Sequence, residues 1–127
     1  MNVVDSSAWL EYFADGPNAA HFAPIIESPE TLLLPSITVL EVFKRITLQR
    51  DESLALQCIA VMQQSTLVDL GSALALRAAA LGIRHKLPLA DSIIYATAQS
   101  ADAVVWTQDA DFEGLPGVRY FSKSTAR

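Results

Sequence analysis

Short apolar runs alternate with helical stretches along the whole chain, and this rhythm narrows the possible folds more than any other feature. NVV, TLLLP, TLVDL, the run Ala103–Trp106 and VRYF have the length and apolar content of strands. Between them SSAWLEYF, AAHFAPIIES, ITVLEVFKRITLQR, ESLALQCIAVMQQS, GSALALRAAALGIRHKL and LADSIIYATAQSA read as helices. Strands separated by helices are joined by crossovers, which produce a parallel sheet covered on both faces. The expected architecture is α/β: a three-layer α/β/α sandwich with a central, mostly parallel sheet.

Local signals punctuate this pattern. Asp15-Gly16-Pro17 breaks the first helix, Asn18 is placed to cap the second, and Pro29 stops it. Val39, Leu40, Phe43 and Ile46 fall at helical spacing and predict one apolar stripe on the third. Asp51 is placed to cap the fourth, and Pro88 suits the start of the last, where its missing N–H costs nothing. No repeat, low-complexity tract or linker interrupts the 127 residues, so one domain spanning 1–127 is expected.

Several function classes recede on composition. The N-terminus lacks the pattern of a signal peptide, and no run approaches the ~20 apolar residues of a membrane span. The single cysteine, Cys58, lies in an apolar helix and reads as a core residue. A cytoplasmic protein is expected. Charged residues are only 18% of the chain while 51% is apolar, which points to a covered apolar face such as a dimer interface. The net charge of −5 argues against nucleic acid unless the acids are gathered at a metal. Four carboxylates in one site would account for most of it.

Two acids fall where such a site belongs. Ligands of open parallel sheets bind beyond the C-terminal ends of the strands. Asp5 ends the first strand and Asp109 lies just past the fourth; Glu41 and Asp91 sit early in helices that start near the same edge. Convergence of four carboxylates raises their pKa values by mutual repulsion, and a hard divalent cation relieves it. No zinc-type Cys/His spacing competes; His21 and His85 are far apart. Taken singly, each acid has a plainer reading: Asp5 as a helix cap, Asp91 as a partner of a helix dipole, Asp109 and Asp111 as turn residues. Glu41 stands apart, because a charge between Leu40 and Val42 is costly if buried without a partner. A serine-nucleophile arrangement of Ser6 or Ser7 with His85 lacks the glycines of a nucleophile elbow. An aspartyl-phosphate phosphatase would need Asp-x-Asp where the chain has Asp5-Ser6-Ser7.

These strings resemble, in order, the motifs of the PIN-domain ribonucleases, and within them the VapC-type toxins of bacterial toxin–antitoxin pairs. VVDSSAWLEYF is similar to the first motif, PSITVLEVFKR to the second, LPLADSIIYATA to the third and VVWTQDADF to the fourth. The resemblance spans essentially the whole chain, departing at Val42-Phe43-Lys44 after the second acid. It implies Asp5, Glu41, Asp91 and Asp109 as ligands of Mg²⁺ or Mn²⁺, with Ser7 and Thr107 as supporting hydroxyls. Asp111 would either stand behind the ligands or cap a short helix. It further implies endonucleolytic hydrolysis of RNA by an activated water, leaving 5′-phosphate and 3′-hydroxyl ends, together with a homodimer and a small VapB-like antitoxin. The alternative is an inactive RNA- or protein-binding module of the same fold, whose mark would be loss of a ligand acid. Lys44, Arg45, Arg119, Lys123 and Arg127 are candidate RNA contacts, though each is more often a solvated surface charge, and the cluster Arg84-His85-Lys86 reads first as the cationic end of a helix.

Overall fold

Five short strands form one all-parallel sheet in the computed structural model, which describes residues 1–123. β1 (Asn2–Val4) lies at its centre, between β2 (Leu32–Pro35) and β4 (Val104–Thr107). β3 (Thr66–Val68) extends the sheet beyond β2, and β5 (Val118–Tyr120) beyond β4, giving the order β3-β2-β1-β4-β5. The chain winds outward from β1 in one direction and returns to wind in the other. A crevice therefore opens between the C-terminal ends of β1 and β4, where successive connections diverge.

Alternation along the strands divides the core in two. Val4, Leu32 and Leu34 face α1 (Ser6–Phe13), α2 (Ala19–Ile26), α3 (Ser36–Gln49) and α4 (Glu52–Met62), where Trp9, Phe22, Val42 and Met62 are buried. Val3, Leu33 and Val105 face the opposite layer, built from α5 (Ser72–His85) and α6 (Leu89–Ser100). All eight residues from Asp91 to Ala98 are buried in α6, a helix wrapped on every side. Its neighbour α5 approaches so closely that a Cβ on Gly82 would lie 3.0 Å from Cβ of Ser92. Cys58 is buried, as a core residue should be.

Two of the six α-helices among the described residues, α1 and α4, start on a capping aspartate. The Asp51 carboxylate accepts the Leu54 amide at 2.8 Å, capping α4. Lys86 adopts the left-handed conformation (φ 56°) that closes α5, with Arg84 and His85 in its last turn, the favourable place for cations at a helix end. Two expectations need correction. Asn18 occupies the capping position of α2 without capping it, because its side chain is buried and spent on Gln108 and the Ser122 carbonyl instead. Leu40 leaves the apolar stripe of α3: it is 57% exposed, while Thr38, Val42 and Ile46 form the buried line. Helical spacing predicts a stripe, but which edge of that stripe meets a neighbour depends on how the helix is rotated against the sheet. No helix among the described residues is long and apolar enough to cross a membrane.

Candidate metal centre

The divergence point between β1 and β4 is where the acids meet. Asp5 leaves β1 and starts α1; Asp109 follows β4 and starts a short 3-10 turn, Ala110–Phe112; Asp91 lies in the first turn of α6 and Glu41 midway along α3. Asp5, Glu41, Asp91 and Asp109 line a single cleft of about 590 Å³. Asp91 and Asp109 from this lining, together with the exposed Asp111 beside it, each bring a carboxylate oxygen within 4.8 Å of the others.

Asp5 is the most constrained. One carboxylate oxygen accepts the Ser7 hydroxyl (2.8 Å) and the Ala8 amide (3.0 Å), so the capping role and the cleft position coexist. Its other oxygen accepts the Thr107 hydroxyl at 2.8 Å. Both hydroxyls also receive from the β4 side: the Asp109 amide donates to Thr107 (2.8 Å), and the Gln108 amide to Ser7 (3.2 Å). Two hydroxyls thus lock the end of β1 to the chain that carries Asp109. The supporting hydroxyls of the sequence motifs sit where they fix both acids.

Electrostatics follow from burial and like charge. Asp5 is 2% exposed, and loss of hydration pushes its carboxyl up to about 6, against the pull of its hydrogen bonds to Ser7, Thr107 and Ala8. Asp91 is pushed up to about 8, first by burial and then by the charge and hydrogen bonding of Asp109 and the charges of Asp5 and Asp111. All these influences on Asp91 act in the same direction. A cavity that crowds acids and leaves one without compensation could hold a cation, and an all-oxygen donor set suits a hard one.

Glu41 stands outside the tight group. It is half-buried and accepts the hydroxyl of Ser6, which ties α3 to the first turn of α1. Ser6 is one residue whose role the sequence reading missed. A second missed cluster is polar, with Glu11 and Gln108 in the cleft lining beside Asp109. Asn18 donates to the Gln108 side chain (3.0 Å), while Glu11 accepts the Asn18 amide (2.7 Å) and the Gln108 side chain (3.4 Å). The only advance signal was a Gln placed between two motif residues. Asp111, uncertain from sequence, both belongs to the tight acidic group and donates its amide to the Asp109 carboxylate at 2.9 Å. Among the cations, Arg45 and Lys123 line the cleft, as does Arg50. His85 instead packs edge-on against Tyr95, and Arg127 lies outside the described residues.

A doubly wound parallel sheet with acids gathered at its divergence point defines a class of α/β proteins with an acidic cleft. The family follows from the sequence. The PIN domain model matches residues 3–118, and the chain belongs to the PIN domain family. The structure is similar to that of a toxin–antitoxin complex from Klebsiella pneumoniae, with a TM-score of 0.79 and 26% identity over 96% of this chain and 99% of that one. It shares its fold with VapC20 of Mycobacterium tuberculosis, described as a sarcin–ricin loop cleaving toxin (TM-score 0.77, 15% identity, covering 93% and 97%). VapBC2 of Rickettsia felis, solved on a DNA fragment from its promoter, has the fold as well (TM-score 0.72, 11% identity, covering 95% and 97%). A search of curated proteins finds no match.

Proposed function

We propose that the chain is a Mg²⁺- or Mn²⁺-dependent endoribonuclease and the toxin of a toxin–antitoxin pair. The observation that carries this reading is the cleft itself: acids from four distant parts of the chain line one cavity, where burial and repulsion push the Asp91 carboxyl up to about 8. Such a site is costly unless a cation completes it. Asp5, Glu41, Asp91 and Asp109 would hold that cation directly or through water, with Asp111 beside them. Once bound, it would orient a phosphodiester, lower the pKa of a water and stabilise charge on the leaving oxygen. The protein's own part is positional: Ser7 and Thr107 fix Asp5 against the Asp109 segment, and Ser6 fixes Glu41. Hydrolysis would leave 5′-phosphate and 3′-hydroxyl ends.

A single domain of this kind would act in the cytoplasm and be silenced there by a small VapB-like antitoxin. Support for the partner comes from the similar toxin–antitoxin complexes. Leu76 and Ile83 on α5 are 74% and 81% exposed, which suits a face covered in a homodimer. The inactive-module alternative has less support, since every expected acid is present in the cleft. The test is incubation of the purified protein with total RNA in Mg²⁺, in EDTA, and with the Asp91→Asn variant. Cleavage in Mg²⁺ alone, abolished by the substitution, is expected; chelator-resistant cleavage by the variant refutes the assignment.

A further inference from the structure

A ladder of planar groups lies on the β4–β5 side of the sheet, outside the acidic cleft and not used by its chemistry. The Arg119 guanidinium sits 5.1 Å from the centre of the Trp106 ring. Trp106 stacks on Phe121 (6.2 Å, 16°), and Phe121 stacks on His21 (4.4 Å, 13°). Phe22 supports Phe121 edge-on from beneath α2, and the Trp106 ring is pinned by its N–H bond to Asn2 (2.8 Å). Trp106 and Phe121 are half-buried, whereas both ends of the ladder, Arg119 and His21, are exposed. The inner planes are packed on neighbouring rings, and His21 at the end is exposed to solvent.

The ladder is tied to the cleft by short connections. The Phe121 amide donates to the Thr107 carbonyl (2.9 Å), and Asn18, one turn before His21, holds the Ser122 carbonyl (2.9 Å). Lys123 already lines the cleft, two residues beyond Phe121, so at most about 7 Å of backbone separates Phe121 from a residue of the cleft wall. A pre-ordered aromatic plane beside a cation is the arrangement that captures an unpaired base, because every base offers a π-face and the phosphate beside it needs a positive partner. Resting on the nuclease reading above, we infer that His21 is a stacking plate for an unpaired RNA base adjoining the phosphate held at the acids. Lys123 meets the backbone between the two.

Binding can be measured by fluorescence anisotropy in Mg²⁺ with an unstructured, dye-labelled ten-nucleotide RNA. The Asp91→Asn background keeps the RNA intact. Adding His21→Ala should weaken the Kd about 5- to 150-fold, the range of one lost base stack, and His21→Phe should restore it. On an abasic RNA of equal length the three proteins should bind alike. Lys123→Gln should weaken both RNAs and flatten the salt dependence of binding by about 0.7 in log–log slope. Equal affinity of the His21→Ala and parent proteins for the base-containing RNA overturns the inference, as does a loss that persists on the abasic strand. If wild-type protein cleaves RNA while His21→Ala binds normally, this inference fails alone. If the wild type neither cleaves nor binds, the nuclease reading fails with it.

Discussion

Asp5 and Asp91 lie in the same cleft and are both buried, yet the protein treats them oppositely. Asp5 is met by two hydroxyls and an amide, which offset much of the cost of burying its charge and leave its carboxyl at about 6. Asp91 is met by burial and by other acids, and its carboxyl rises to about 8. The physical difference is where compensation comes from. Asp5 is compensated from within, by groups fixed at the ends of β1 and β4; Asp91 is left for something from outside. The fold thus supplies one acid as a rigid reference point and another as the place where a cation gains most.

The largest expected effects come from removing either acid, and stability separates the two. Asp91→Asn and Asp5→Asn should each lower Mg²⁺-dependent RNA cleavage by about a hundredfold or more. Only Asp91→Asn should also raise the Tm of the metal-free protein, because it removes the cost of burying an ionisable carboxyl among other acids without breaking a compensated network. Equal Tm changes in the two variants, followed by circular dichroism, would break the contrast. Next in size, Thr107→Val severs the link between Asp5 and the Asp109 amide. It should cost about 1–3 kcal/mol of stability by denaturant unfolding and about 10- to 100-fold in activity or metal affinity.

A pH titration sharpens the same contrast. Both acids have folded pKa values above the ordinary carboxylate range. Between about pH 4 and 8 the folded state therefore holds more protons than the unfolded one, and metal-free stability falls as pH rises. The decline through pH 6 should carry both acids, and the part continuing toward pH 8 Asp91 alone. Tm measured against pH should lose the later part in Asp91→Asn and flatten when Mg²⁺ is added, since a ligand of the native state stabilises it. The smallest effect is expected from Ser6→Ala, which frees Glu41 from its hydroxyl: a few-fold weaker Mn²⁺ binding by calorimetry, with Tm nearly unchanged. A loss as large as that of Thr107→Val would place Glu41 at the heart of the cleft rather than at its rim.

Much of this was legible from residues alone. The positions of Asp5 and Asp109 follow from strand ends, and the alternation of elements gives the layered sheet. Asp111 was ambiguous because a 3-10 turn can direct its second acid either into the cleft or out to solvent, and the turn's orientation is set by its neighbours. The roles of Ser6, Glu11 and Gln108 were hidden for a related reason. Their partners lie 35, 7 and 90 residues away, at Glu41 and Asn18, and short polar side chains carry no periodic signal. Asn18 shows the same limit from the other side: a good cap by local rule is recruited elsewhere when a buried partner is available. Leu40 shows it for apolar residues.

The sequence by itself determined the period and order of the elements, hence a parallel sheet, and the kinds of side chain available at its C-terminal edge. Those are local properties, written in spacing and residue type. Tertiary structure alone decided how close the acids come and which of them is compensated. Hydration and Coulomb energies change steeply over a few ångströms, and those ångströms are set by how α1, α3 and α6 pack around the ends of β1 and β4.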